Sequence, residues 1–130
     1  MTTKTSLPSS NWSAVATAAA HPTDHAIATG IQSFTVREEW YYRLKFIHSP
    51  EKLHPVLRVP IDGETETVSW AWQRPDGGRS FGFSGLHYHD NWKRTEYRRL
   101  VVQGILWSMK RQIPKSGWPV TLEEKALKLE

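Results

Sequence analysis

Hydrophobic and polar residues alternate along several stretches of this chain, and the alternation predicts a sheet followed by one helix. From Ile31 to Val36 apolar and polar positions take turns, as on a strand with one buried face. Glu38, Glu39 and Trp40 interrupt the pattern. It resumes from Tyr41 to Ile47, with Tyr42, Leu44 and Phe46 on one face and Tyr41, Arg43 and Lys45 on the other. A loop begins at Pro50, and a strand from Pro55 to Ile61 leads into a turn at Asp62 and Gly63. The next strand, Thr67 to Arg74, carries Val68, Trp70 and Trp72 at alternate positions, where aromatic and β-branched side chains suit a pleated, packed surface. Pro75 to Gly78 reverses the chain tightly, and Arg79 to Ser84 is the return strand.

The period then changes from two to 3.6. Between Arg94 and Lys110, Tyr97, Leu100, Val101, Gly104, Ile105 and Trp107 fill a broad apolar arc, while Glu96, Arg99, Gln103 and Lys110 form the opposite stripe. That width predicts a helix lying across a sheet. Thr95 is its expected N-cap, with Asp90 or Asn91 capping the turn before it. Pro114 and Gly117 are expected to stop it. Residues 1–20 are rich in Thr, Ser and Ala and read as a flexible N-terminal arm with a helical turn at Trp12 to Ala19. Pro22 disfavours helix at His21. Residues 114–130 read as a tail with a short helix over 121–129.

Composition narrows the classes. At 130 residues the chain is one domain, and 38% hydrophobic with 23% charged residues is the balance of a folded globular protein. No apolar run approaches the roughly 18 residues of a membrane span, so no membrane partner is expected. Met1 to Ala20 lacks the continuous apolar core of a secretory signal. The absence of cysteine removes disulfides, a thiolate nucleophile and Cys-ligated metal from consideration. Net charge is +4, much of it from Lys93, Arg94, Arg98, Arg99, Lys110, Arg111 and Lys115 around the helix. Such a face can contact phosphates. No nucleic-acid motif accompanies it, and a solvated helix face accounts for it. Seven tryptophans supply core volume, and tryptophan is also a residue of interfaces and sugar-stacking surfaces.

Candidate chemistry gathers where the last strand gives way to the helix, a position at which α/β proteins place binding sites. His87, His89 and Asp90 lie there. In an extended backbone the two histidines point the same way. They read as an acid–base pair, as metal ligands, or as hydrogen-bonded histidines of a polar-ligand pocket. The last uses these residues most economically, because the further donors His21, His25, Glu38 and Glu39 have no telling metal spacing. Glu38 and Glu39 beside Trp40 and Tyr41 combine hydroxyl-binding carboxylates with ring-covering aromatics, as a sugar site does. Adjacent on a strand, the two glutamates face opposite ways, which argues against the opposed acid and base of a glycosidase. No nucleophile elbow, phosphate loop, zinc-protease helix or dinucleotide fingerprint is present.

Several pieces recur in a fixed order: His21 and Pro22, Gly30 and Ile31, Phe34, Arg37 to Tyr41, Val68 to Trp70, and Gly77 to Phe83. His87, Trp92, Tyr97 to Leu100 and Gly104 to Trp107 complete the series. In this order and spacing the chain resembles the ThuA-like (trehalose utilisation) domain family. The resemblance implies an α/β fold, a flavodoxin-like three-layer sandwich related to class I glutamine amidotransferases. It covers only the C-terminal half of that fold, residues 21–113, with an antiparallel hairpin and a C-terminal amphipathic helix. It also implies that His87 follows the last core strand, roughly where amidotransferases carry their catalytic histidine, and that Glu39 and Trp40 are the family's acidic–aromatic pair. The expectation is a truncated ThuA-like domain tied to carbohydrate metabolism, with no cofactor, no metal and no catalysis of its own. It would offer a sugar or other small polar ligand half of a pocket made by Glu39, Trp40, His87, His89 and Asp90. A missing N-terminal half or a second copy would cover Ile105 and Trp107. Two other readings stand beside it: a small metal-dependent hydrolase or isomerase using His87 and His89, and a basic interaction module. The pocket reading expects Glu39 and His87 in contact, His87 partly buried and His89 more exposed.

Overall fold

The computed structural model describes residues 13–45 and 53–127. Among these residues five strands form one sheet: β1 (Ser13–Pro22), β2 (Phe34–Tyr41), β3 (Leu53–Ile61), β4 (Glu64–Gln73) and β5 (Arg79–Phe83). Their order is β2-β1-β3-β4-β5, and every pairing is antiparallel. One helix, α1 (Thr95–Ser108), packs on the sheet, preceded by a 3-10 turn at His89–Lys93. A shorter turn, Ala26–Ala28, links β1 to β2. The protein is therefore a mixed α/β fold with a hairpin and a C-terminal helix. Among the described residues it has two layers, and the three-layer sandwich implied by the resemblance is not formed.

The largest departure from the sequence reading is β1. Residues 13–20, expected within a loose arm with a helical turn, form the second strand of the sheet, while residues 1–12 lie outside the described residues. The inward positions are Ala14, Ala16, Ala18 and Ala20, and their partners on β2 are Trp40, Glu38, Val36 and Phe34. Small side chains opposite large ones fill the space without crowding. Alanine has little strand preference of its own, so pairing and burial decided what local propensity did not.

Glu38 to Trp40 do not interrupt β2. Val36, Glu38 and Trp40 all point inward, so the alternation continues through a carboxylate. β2 ends at Tyr41, and Arg43 (φ 57) turns the chain aside. The strand expected over Tyr41 to Ile47 is thus absent as far as residue 45, and its last two residues lie outside the described ones. The two hairpins agree with expectation. Asp62 (φ 51) and Gly63 (φ 76) make the two-residue reversal between β3 and β4, with both central residues left-handed as this turn requires. Between β4 and β5, Asp76 accepts from the Gly78 N–H at 2.8 Å and from Arg74 Nε at 3.2 Å.

Along α1, the Tyr97 ring meets Phe34 and Phe83 edge-on at 5.7 and 5.2 Å, and Gly104 lets the Phe81 ring lie against the helix backbone. Arg94, not Thr95, is the N-cap, and it makes no side-chain capping bond. Lys110 (φ 59) ends the helix ahead of Pro114. The chain then runs back along α1. Trp118 N–H donates to Gln103 Oε1 at 2.7 Å, while Arg99 Nε and Arg98 Nε donate to the carbonyls of Trp118 and Val120 at 3.1 and 3.0 Å. The helix expected over 121–129 is reduced to a 3-10 turn at Glu124–Leu127.

Gly30 (φ 74) crosses this returning segment so closely that a Cβ would lie 2.7 Å from the Ser116 carbonyl oxygen. Gly30→Ala should therefore lower unfolding stability by about 3 kcal/mol, combining left-handed strain with a backbone clash. Gly63→Ala has the same backbone sign but open space around it. It should cost only about 1 kcal/mol in the same urea titration.

Candidate functional site

The loop after β5 is organised by a buried carboxylate. Leu86 adopts φ 72, a costly conformation for a branched side chain, and this turns two successive backbone N–H groups toward Glu38. Leu86 N–H donates to Oε2 at 2.9 Å and His87 N–H to Oε1 at 3.1 Å. Asn91 Nδ2 and the Tyr97 hydroxyl each donate to Oε2 at 2.9 Å, and Glu39 N–H donates to Oε1 at 3.0 Å. All five donors are neutral, and Glu38 is fully buried. Such a charge is tolerable in the interior only when its lone pairs are fully occupied. Burial, reinforced by the neighbouring Glu38 carboxylate, pushes the Tyr97 phenol far above the ordinary tyrosine range, so it remains a donor.

Holding His87 by its backbone places its ring over the other face of β2. There Nε2 lies 3.1 Å from Glu39 Oε2, and the Tyr41 hydroxyl donates to Glu39 Oε1 at 3.0 Å. That bond raises the Tyr41 phenol above its ordinary value. Beside this trio the Arg37 guanidinium lies 4.8 Å over the Tyr88 ring, and Tyr88 meets His87 edge-on at 5.0 Å. Val15, paired with Glu39 across the strands and exposed, gives the patch an apolar neighbour.

Of the expected site residues, Glu39 and His87 come together, with side chains 21% and 46% exposed. Trp40 does not join them. It points into the core, fully buried, and its ring faces are covered by protein. Its Nε1 has no hydrogen-bond partner among the described residues. His89 and Asp90 are exposed, and Asp90 pairs with Lys93 at 3.1 Å. The two histidines do not share an extended backbone, because β5 stops at Phe83 and His89 already opens a 3-10 turn. Among the described residues no three His, Asp or Glu side chains are grouped to hold a metal ion. Tyr41, expected as a ring-covering aromatic, takes part through its hydroxyl, while Arg37 and Tyr88 lie outside the expected set, although Arg37 and Tyr41 flank Glu39 at period two on one strand face.

The family model ThuA, described as trehalose utilisation, matches residues 4–108. The chain belongs to the ThuA family. No curated protein and no solved structure matches this ThuA chain.

Part of the basic charge of the ThuA chain has an internal use. Arg98 donates through Nη1 to the Trp92 carbonyl at 2.7 Å as well as to Val120, and Arg99 donates through Nη1 to the Gly30 carbonyl at 3.1 Å as well as to Trp118. These two arginines fasten loops to α1. A groove of about 350 Å³ lies alongside, lined by Trp92, Arg98, Val102, Trp118 and Leu122 among others.

Glu38→Gln turns one acceptor into a donor that faces other donors. It should destabilise the fold by about 3 kcal/mol in denaturant titrations, and Tyr97→Phe, which removes one donor, by about 2 kcal/mol.

Proposed function

We propose that this ThuA-family chain serves trehalose utilisation by holding a sugar, or another small polyhydroxyl ligand, on the outer face of β1 and β2. The observation that carries this reading is the Glu39 carboxylate, bonded on one oxygen to the Tyr41 hydroxyl and on the other to His87 Nε2. Such a bridge arrays a hydroxyl, a carboxylate and an imidazole within one patch. Sugar hydroxyls, which donate and accept together, are matched by groups of both kinds. Tyr88, braced by Arg37, supplies an aromatic surface nearby. His89 and Asp90 form an exposed polar rim.

Cleavage of a glycosidic bond between two opposed carboxyl groups is not part of this reading. Glu38 has its oxygens occupied by five donors and lies on the other face of the strand. Proton transfer at His87 is the chemistry the patch can support. In this reading the described sheet is the C-terminal part of a larger flavodoxin-like, amidotransferase-related unit. The facing half of the pocket comes from another segment or a second copy, so this chain binds without catalysing alone.

Titration of labelled protein with trehalose, maltose and glucose tests the proposal. Trehalose should shift the His87 ring and Tyr41 signals, and His87→Ala and Glu39→Gln should each weaken binding at least about tenfold, the scale of one lost polar contact. Both variants should keep the wild-type unfolding midpoint to within about 2 °C, as surface changes do. No shift at these residues with any of the three sugars would overturn the reading. Stoichiometric zinc that disappears in His87→Ala would replace it with the metal-dependent alternative.

A further inference from the structure

A second group of titratable side chains lies at the opposite end of α1 from Glu38. His25 precedes the Ala26–Ala28 turn and caps it, its Nδ1 accepting the Ile27 N–H at 3.1 Å. Accepting requires a lone pair on Nδ1, so the ring carries its hydrogen on Nε2. His25 stacks on His54 of β3 with centroids 5.9 Å apart, and it meets Trp107 of α1 edge-on at 5.2 Å. Arg79 of β5 lies 4.7 Å over the same Trp107 ring and donates to the Trp107 carbonyl at 3.1 Å. The charged and titratable groups facing His25 are therefore His54, Arg79 and the adjoining Asp24. From α1 the neighbour is the neutral Trp107.

The turn that His25 caps is also the one α1 grips. The carbonyls of Ile27 and Thr29 accept from Gln103 Nε2 at 2.6 and 3.0 Å, and Gln103 Oε1 accepts the Trp118 N–H at 2.7 Å. Gln103 and Ile27 are fully buried, so water cannot replace these bonds while the segment stays closed. A run of hydrogen bonds thus leads from the capped turn, through the helix, to the returning C-terminal segment and the Trp118 wall of its groove.

We infer that His25 is a proton-operated latch: a proton on Nδ1 removes the acceptor that caps the turn and loosens the Ile27–Gln103–Trp118 connection to the C-terminal segment. Burial holds the His25 imidazole below its ordinary value of 6.5; His54 and Arg79 act in the same direction and Asp24 opposes them. Folding therefore favours the neutral ring. The latch is fully closed above 6.5 and releases as the pH falls through the window beneath it.

Amide hydrogen exchange on the full chain tests this, with each rate corrected for the intrinsic pH dependence of exchange. Between about pH 7.5 and about pH 5, protection at Ile27 and Trp118 should fall about tenfold, the scale of one lost cap, while Ala71 in β4 stays constant. His25→Asn retains a capping acceptor but cannot titrate, and its protection should not change with pH. His25→Ala should be poorly protected at both ends of the range. His54→Gln removes a group that disfavours the charged ring, and it should move the release to higher pH. Unchanged wild-type protection at Trp118, a His25→Asn profile as pH-sensitive as wild type, or full protection in His25→Ala would each overturn the latch.

Discussion

Glu38 is the constraint on which the rest of the molecule depends. A carboxylate buried with no ion-pair partner among the described residues is stable only where donors are already aimed at it, and here they come from four parts of the chain. Backbone N–H groups of β2 and of the loop after β5 supply three of them, Asn91 supplies a fourth from the turn before α1, and Tyr97 supplies a fifth from the helix. Satisfying this one group fixes where the helix begins, forces Leu86 into its left-handed conformation, and carries His87 across to β2. The small residues of β1 belong to the same arrangement. Ala16 pairs with Glu38, and a larger side chain there would compete with the donors for room.

Alternate residues of β2 then divide the labour. Val36, Glu38 and Trp40 build the interior, while Arg37, Glu39 and Tyr41 build the outer patch. The helix makes a similar division. Gln103 and the paired arginines Arg98 and Arg99 spend their hydrogen bonds on the backbone of neighbouring loops, so much of the polar stripe of α1 is a fastening surface and not a solvated one.

Much of this was legible in the sequence. The hairpins at Asp62–Gly63 and Pro75–Gly78 were readable because glycine and aspartate demand particular backbone conformations. The helix was readable because Tyr97, Leu100, Gly104 and Trp107 repeat at its period. Ile105 of the expected apolar arc is nevertheless exposed, and Gln103 of the expected polar stripe is buried. Trp107, expected to need cover from outside, is buried against His25 and Arg79. The contact between Glu39 and His87 followed from the ordered resemblance to the family. β1 was not readable, since alanine and threonine alternate with too little contrast to mark a buried face. Trp40 was misplaced for a related reason: a glutamate at an inward position looks like the end of a strand unless its donors, some fifty residues away in the chain, are already known. The three-layer arrangement was borrowed from the family as a whole, and the described residues form a two-layer one on an antiparallel sheet.

The adjacency of Glu38 and Glu39 has a consequence for reading genetic data on this chain. The two residues are chemically identical neighbours, yet one is buried as a foundation of the fold and the other lies on the outer face of β2 beside His87 and Tyr41. On the proposed sugar-binding reading, a screen scored by ligand capture would rank both as essential. A screen scored by protein abundance would separate them, flagging Glu38 alone. Inherited variation at this dipeptide is therefore expected to fall into two phenotypic classes one codon apart, one of protein quantity and the other of protein quality.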